Sequence, residues 1–288
     1  MPFTVNDLFF GVLLPALLVL VILFAMSRVK ALAAVEGLLA PLALAIGFEA
    51  GYWMLGLGPA SPTSHWHWLA YVVGLGVLAG ALAQAFGGKL PLTVGLFLPC
   101  TLACGWWLIP TWDSLEPSRE VHLAVWTVAT TALVAGGHPI FMREQKADRL
   151  AAVIVVFLLV TAASILLVLA DSLRFAQMAM ALSGAIAGLV VAVAADASRK
   201  PLLGILPFTV IALCGLLLIG QVNSFSGVPL ASYLLIPAAM FGMGIARIPA
   251  IAKRGLRWSF CVSIAVPAML SVLALGLAVW AVFGEETY

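Results

Sequence analysis

Long apolar runs separated by short polar interruptions cover almost the whole sequence. The two longest interruptions run only from about residue 111 to residue 120 and from residue 142 to residue 149. A helix rises about 1.5 Å per residue, so about 20 apolar residues cross the hydrocarbon core of a bilayer. The pattern predicts ten membrane-spanning helices: Leu8–Ser27, Ala31–Leu57, Trp66–Phe86, Leu90–Ile109, Val121–Phe141, Leu150–Ala170, Leu173–Ala197, Leu202–Val222, Pro229–Ile248 and Trp258–Phe283. We therefore expect an all-α, polytopic bundle of about ten transmembrane helices, with residues 1–288 in one integral membrane domain.

The composition supports a multi-pass membrane protein. Hydrophobic residues make up 64% of the chain and charged residues only 9%, whereas soluble globular domains contain about a quarter charged residues. The net charge of +2 gives no indication of nucleic-acid binding. No Lys or Arg precedes the first apolar run, so we expect that run to be retained as a helix rather than cleaved as a signal peptide.

The positive charges predict an orientation in the membrane. Lys and Arg concentrate in the cytoplasmic loops of membrane proteins. When both termini are placed outside, only Arg119 and Arg174 fall in outer segments, and every other basic residue is cytoplasmic. The short loops favour antiparallel packing of neighbouring helices. The expected location is therefore a bacterial-type inner (plasma) membrane, with the N-terminus and the C-terminus both outside.

Two carboxylates fall inside the second predicted helix. Ionisable side chains at membrane depth cost about 2.5–3.5 kcal/mol on insertion scales, so they often mark function. Glu49 is the stronger candidate, because it is predicted to lie in the outer half of the membrane. Glu36 lies six residues after Lys30 and is expected near the inner interface. A second interpretation of Glu49 stays open, in which it lies shallowly beside Trp53 at the end of a shorter helix.

Prolines recur inside the predicted helices. Proline removes a backbone donor and kinks a helix, and in a membrane the freed carbonyl group needs another partner. We expect Pro99 and Pro207 to kink the helices beside a substrate or proton pathway, with Thr101 close to the first kink. His138 is also a candidate for this pathway. It either pairs with a polar group such as Glu36 or lies at a solvated helix end.

The other three histidines, His65, His67 and His122, are predicted to share the outer face. Imidazoles gathered there are able to bind a metal or to sense pH. No Cys/His spacing typical of a metal site accompanies them. The main prediction therefore has no cofactor and no metal, with haem or a metal at these histidines as the alternative. Tryptophans concentrate at the same predicted border, as in the aromatic belts of membrane proteins.

Small residues four positions apart occur in two of the predicted helices. They are Gly76/Gly80 and Gly184/Gly188, and this spacing lets helices approach closely. These faces serve either packing within the chain or contact with a second copy or a partner subunit. The surrounding segments, helices 3–4 and 7–8, are weakly similar, which indicates a faint parallel repeat. All four cysteines fall inside predicted helices, so no disulfide framework is indicated.

These features lead to two functional hypotheses. The first is a small-solute or ion transporter that uses Glu49 as its intramembrane carboxylate. The second is a non-catalytic structural subunit of a larger membrane complex. An enzyme is not indicated, because the sequence has no phosphate-binding glycine loop, no HExxH helix and no GxSxG elbow. The position of Glu49 distinguishes the two, since a transporter needs it in a hydrated cavity and a subunit needs it at a contact surface.

Overall fold

A computed structural model describes residues 4–29, 36–86, 88–143, 145–195, 203–224, 226–253 and 255–284. Within these ranges the regular elements are all helical, and ten helices are long and apolar enough to cross a membrane. We label them α1 (Val5–Arg28), α2 (Glu36–Met54), α3 (His65–Ala85), α4 (Leu90–Leu108), α5 (Arg119–Phe141), α6 (Lys146–Leu169), α7 (Leu173–Ala195), α8 (Ile205–Asn223), α9 (Leu230–Arg247) and α10 (Leu256–Phe283). A short helical turn, Pro249–Ala252, precedes α10. The predicted all-α bundle of ten apolar helices is confirmed, and it indicates an integral membrane protein.

Successive helices run in opposite directions, so the bundle has two chemically different ends. At one end, the start of α3 meets the end of α8 through a hydrogen bond between His65 and Asn223. The starts of α1 and α7 meet there through Asp7 and Gln177. We call it the tryptophan end, because it carries Trp53, Trp66, Trp68, Trp106, Trp107, Trp112 and Trp280.

The opposite end carries most of the described positive charge, and we call it the basic end. Its residues are Arg28, Lys89, Arg143, Lys146, Arg149, Arg247, Lys253 and Arg257. At the tryptophan end, the described basic residues are Arg119 and Arg174. The remaining basic residues used in the orientation prediction lie outside the described ranges: Lys30, Arg199, Lys200 and Arg254.

Three consecutive helices form the core. In α6, α7 and α8, 61%, 67% and 78% of an 18-residue apolar stretch is buried, against 22% in α1 and 28% in α4 and α10. The helix α7 packs against α1, α2 and α6, while α8 packs against α3 and α5. Alanine, leucine, valine and isoleucine fill most of this interior. Close packing of such side chains leaves little room for water.

The glycine pairs found in the sequence lie where helices approach most closely. Gly184 and Gly188 of α7 pack against the backbone of α1, and Gly76 of α3 packs against the backbone of α8. Gly80 meets the backbone of Gly204, immediately before α8. Both faces are therefore buried within the chain. Contact with a second copy through them requires these helices to separate.

Several predicted boundaries differ from those of the structure. The helix α2 ends at Met54 rather than Leu57, and the predicted residues 31–35 lie outside the described ranges. The helix α6 begins at Lys146, so half of the most charged interruption is helical. Asp148 lies in its first turn, where a carboxylate interacts favourably with the helix dipole.

The predicted kink at Pro207 is wrong. The helix α8 begins at Ile205, so Pro207 lies in its first turn, where backbone N–H groups have no partner within the helix. Proline is tolerated there without breaking a helix. Changes of helix geometry occur elsewhere. In α9 an α-helix over Leu230–Ala238 continues as a 3₁₀ helix over Ala239–Arg247, and α1 contains a π-helical segment over Phe9–Leu13.

Candidate functional site at the tryptophan end

Glu49 lies near the end of α2, on the side of that helix that faces out of the bundle. It is five residues from Met54, the last residue of α2, which places it about 7.5 Å from the helix end. Leu42, Ile46 and Trp53 follow the same helical spacing as Glu49 and are 44%, 41% and 42% exposed. We call the surface formed by Leu42, Ile46, Glu49 and Trp53 the α2 outer face. The shallow interpretation of Glu49 fits this position.

The carboxylate of Glu49 has hydrogen-bond partners for only part of its capacity. Its Oε1 atom is buried and has no hydrogen-bond partner among the described residues. Trp53, one turn further along, lies within hydrogen-bonding reach of the carboxylate. A buried polar atom without a partner costs free energy. Glu49 therefore keeps unused hydrogen-bonding capacity next to the α2 outer face.

Next to Glu49, Tyr52 is fully buried, and its hydroxyl group has no hydrogen-bond partner among the described residues. The hydroxyl lies against Gly58, and the ring of His67 borders the same glycine. Tyr52 was not among the candidate residues identified from the sequence. No pattern in the sequence showed that its ring points inward, because α2 has apolar residues on every side.

His67 has a structural role at the start of α3. Its Nδ1 atom accepts hydrogen bonds from the backbone N–H groups of Thr63 and Ser64, both at 3.1 Å. The proton of the neutral ring is therefore on Nε2. Its ring centre lies 3.8 Å from that of Trp66. These contacts provide partners for backbone groups at a helix start, as N-capping side chains do.

His65 borders a polar cavity at the tryptophan end. Asn223 donates to its Nε2 atom at 3.0 Å, and the ring of Trp112 lies perpendicular to the imidazole at 5.1 Å. The cavity has a volume of about 300 Å³ and is formed by the starts and ends of α3, α4 and α8. Thr63 and Thr111 contribute hydroxyl groups to its wall.

His122 lies apart from this cavity. It is in the first turn of α5 and donates from Nδ1 to the carbonyl oxygen of Ser118 at 3.2 Å. The side chains of His65, His67 and His122 therefore lie in three different local environments. In the described ranges, no group of three His, Cys, Asp or Glu side chains is arranged to hold a metal ion.

The predicted pathway residues are used for packing. The hydroxyl groups of Thr101 and Thr130 are 2.7 Å apart, and Trp126 donates from Nε1 to the carbonyl oxygen of Thr101 at 2.8 Å. These bonds join α4 to α5. Pro99 lies within the continuous helix α4, on its exposed side.

At the basic end, His138 is buried and donates from Nε2 to the carbonyl oxygen of Gly88 at 2.6 Å. The predicted solvated helix end is therefore wrong, because the turn after α3 covers His138. Gln84 lies against Gly37 at the start of α2. The side chain of Glu36 lies outside the described part of the chain.

Comparisons with known proteins add no family to this picture. No protein-family model, no curated protein and no solved structure matches the chain. The functional inference therefore rests on the positions of the polar groups. Glu49 beside the α2 outer face and the polar cavity beside His65 are two places at the tryptophan end where polar groups lie near the surface.

Proposed function

We propose that this protein is a non-catalytic subunit of a larger membrane complex, and that the α2 outer face binds a helix of its partner. The observation that carries the proposal is the position of Glu49, which is half-buried on the side of α2 where Leu42, Ile46 and Trp53 are exposed. Intramembrane acids usually face the interior of a bundle or a cavity. A half-buried carboxylate beside an exposed helix face therefore favours contact with another molecule.

The packing of the described core favours this function over transport. A transport pathway needs polar groups that line a hydrated route through the bundle. Thr101 and His138, which were expected there, are engaged in bonds between neighbouring segments. Pro207 lies in the first turn of α8 instead of kinking a helix. Within the described ranges, the interior between α6, α7 and α8 is filled mainly by aliphatic side chains.

The chemistry of the α2 outer face defines the partner. Leu42 and Ile46 form an apolar ridge at helical spacing, and Trp53 extends it to the tryptophan end. A helix that packs on this ridge requires a hydrogen-bond donor opposite Glu49. We infer that the partner helix carries a Lys, Arg, Asn or Gln side chain about one and a half turns from its end, because such groups pair with carboxylates across membrane helices.

A second copy of this chain is a poorer source of a cationic donor. The described basic residues at the tryptophan end are Arg119 and Arg174. Arg119 lies over the ring of Trp106 at 4.2 Å and donates to its carbonyl oxygen. Arg174 lies over the ring of Trp66 at 5.1 Å. Both guanidinium groups therefore already have aromatic neighbours, whereas a different protein supplies its donor without breaking these contacts.

The test is purification of the full chain from its native membrane in a mild detergent, with the mass of the intact particle as the readout. We expect stoichiometric partner chains with the unmodified protein and with Glu120→Gln, a control on an exposed carboxylate at the same end. Glu49→Lys is expected to release the partner, and Glu49→Gln to weaken its retention. A particle that contains this chain alone, or a partner retained equally by all variants, contradicts the proposal.

A small-solute or ion transporter is the second candidate, and the polar cavity lined by His65 and Asn223 is the observation that favours it. Such a cavity is a suitable entrance for a polar solute. The test is proton or ion flux into vesicles containing the purified chain, with Asn223→Ala and Glu49→Gln as variants. Flux that requires the chain and falls in both variants favours transport, whereas no flux together with stoichiometric partners favours the subunit.

We also propose that the tryptophan end faces outside and that the protein lies in a bacterial-type inner (plasma) membrane. The concentration of described Lys and Arg residues at the basic end supports this orientation. The tryptophans at the opposite end are in the positions expected for an interfacial belt.

A further inference from the structure

A groove on the side of the bundle lies between α5, α8 and α9, and none of its lining residues belongs to the α2 outer face. Its volume is about 400 Å³, which is close to that of one long hydrocarbon chain. Val125 and Leu234 are exposed along its rim, and Leu133 and Leu217 are buried in its wall. It opens sideways at the depth of the apolar helices, so an occupant enters from the bilayer. We call it the lateral groove.

The polar groups of the lateral groove gather at its tryptophan end. His122 lies in the first turn of α5, Gln221 in the last turn of α8 and Tyr233 in the first turn of α9. The opposite half of the groove is lined by apolar side chains such as Pro237 and Phe241. This arrangement matches a molecule with a small polar head and an apolar tail.

The Tyr233 hydroxyl group lacks a partner within the described protein. Tyr233 is 4% exposed, and its hydroxyl group is buried without a hydrogen bond. The Ser224 hydroxyl group lies within hydrogen-bonding reach of Tyr233, but it donates to the carbonyl oxygen of Ala170 at 3.1 Å and lies 2.7 Å from the hydroxyl group of Ser226. A buried hydroxyl group without a partner is unfavourable, so a ligand atom that accepts its proton is stabilised.

His122 offers the complementary group. Since its Nδ1 atom donates to the carbonyl oxygen of Ser118, the neutral ring has a free electron pair on Nε2. The groove therefore presents a donor at Tyr233, an acceptor at His122 and an amide at Gln221 that is able to do both. A hydroxyl group is the simplest head that both accepts from a tyrosine and donates to an imidazole.

We propose that the lateral groove binds a neutral membrane lipid with a hydroxyl head group, its hydrocarbon chain lying between α5, α8 and α9. The described lining contains no Lys, Arg, Asp or Glu side chain. A phosphate head placed there has no cation to compensate its charge, which is costly away from water. Arg119 is close in sequence, but it is directed to Trp106 on α4. The proposal does not depend on a partner subunit.

The test uses the full chain purified and reconstituted in vesicles that contain one of two photoreactive lipids with the same diazirine-bearing chain. One lipid is a monoacylglycerol, and the other is the corresponding lysophosphatidic acid. Labelled peptides are mapped by mass spectrometry. Leu234→Trp fills the groove, and Val272→Trp is its control on the exposed side of α10. Tyr233→Phe removes the unpaired hydroxyl group, and Tyr71→Phe is its control outside the groove.

We expect the monoacylglycerol to label peptides of α5, α8 and α9 in preference to the lysophosphatidic acid. Leu234→Trp should abolish this labelling and Val272→Trp should leave it unchanged. Tyr233→Phe should reduce the preference for the hydroxyl head by about fivefold, the effect of one hydrogen bond, whereas Tyr71→Phe should not. Equal labelling by both lipids, or labelling spread evenly over all exposed helices, shows that bulk lipid fills the groove and overturns the proposal.

Discussion

His138 donates a hydrogen bond from Nε2 to the carbonyl oxygen of Gly88, 2.6 Å away, and so joins the end of α5 to the turn between α3 and α4. The two residues are 50 positions apart in the sequence. Gly88 has a φ angle of +66°, in the left-handed region that glycine adopts without strain. The turn between α3 and α4 is therefore held by the buried side chain of His138 from α5, and its backbone conformation at Gly88 favours glycine.

Replacing His138 by phenylalanine should destabilise the protein. The aromatic ring keeps much of the packing, but the buried carbonyl group of Gly88 loses its donor, and we expect a loss of about 1–3 kcal/mol in the free energy of unfolding. His122→Phe is the control, since its imidazole bonds only to its own helix start. Thermal unfolding of the purified chain in detergent measures both. An equal effect of the two substitutions would contradict the role given to the contact with Gly88.

Gly88→Ala should destabilise the turn by about 1–2 kcal/mol, because an L-residue is strained at this positive φ. A methyl group there also lies 2.5 Å from the sulfur atom of Met142. Gly74→Ala is the matched control. Gly74 is inside α3 with no atom within 4 Å of the added methyl group, and alanine is favoured over glycine by about 1 kcal/mol within helices. The two substitutions should therefore shift the unfolding temperature in opposite directions.

The number and the approximate positions of the helices were predictable because each apolar run is long enough to span a bilayer. The tight turn at Gly88 was also predictable from its two consecutive glycines. The contact of His138 was not predictable, because its partner is a backbone carbonyl group brought close by tertiary packing. The hydrogen bond from Gln177 to Asp7 was not predictable either, because it joins side chains 170 positions apart in the sequence.

The direction in which Glu49 faces was not predictable from the sequence. Its presence in an apolar segment was evident, but α2 has apolar residues on all sides, so periodicity did not show which side faces out. Only the packing of α1, α3 and α7 around α2 defines its outer face. Pro207 was misjudged for a related reason. A proline deep in an apolar run looks like a kink unless the start of the helix is known to lie two residues earlier.

The proposed orientation predicts which loops react from outside the cell. Ser118 precedes α5 at the tryptophan end and is exposed, and Gln145 precedes α6 at the basic end and is also exposed. We expect a membrane-impermeant maleimide to label Ser118→Cys in intact cells and Gln145→Cys only after permeabilisation. The unsubstituted chain controls for the four native cysteines. The reverse pattern would place both described termini in the cytoplasm.

A partner-binding role for Glu49 also predicts the sign of a stability change. If Glu49 binds a partner, its carboxylate destabilises the isolated chain, because the Glu49 Oε1 atom is then buried without a hydrogen-bond partner. Replacing such a group by an apolar one commonly stabilises a protein at the expense of its function. Glu49→Leu should therefore raise the free energy of unfolding of the isolated chain in detergent by about 1 kcal/mol, measured as a higher unfolding temperature. The same substitution should release the partner from the native particle.

Glu120→Leu is the control for this sign. Glu120 is exposed at the start of α5 and accepts a hydrogen bond from Ser118 at 2.7 Å, in a position where a carboxylate interacts favourably with the helix dipole. Its replacement should leave stability unchanged or lower it slightly. If Glu49→Leu instead destabilises the isolated chain, the carboxylate contributes to the fold of this chain itself, and the loss of a partner in the Glu49 variants would follow from misfolding rather than from a missing contact.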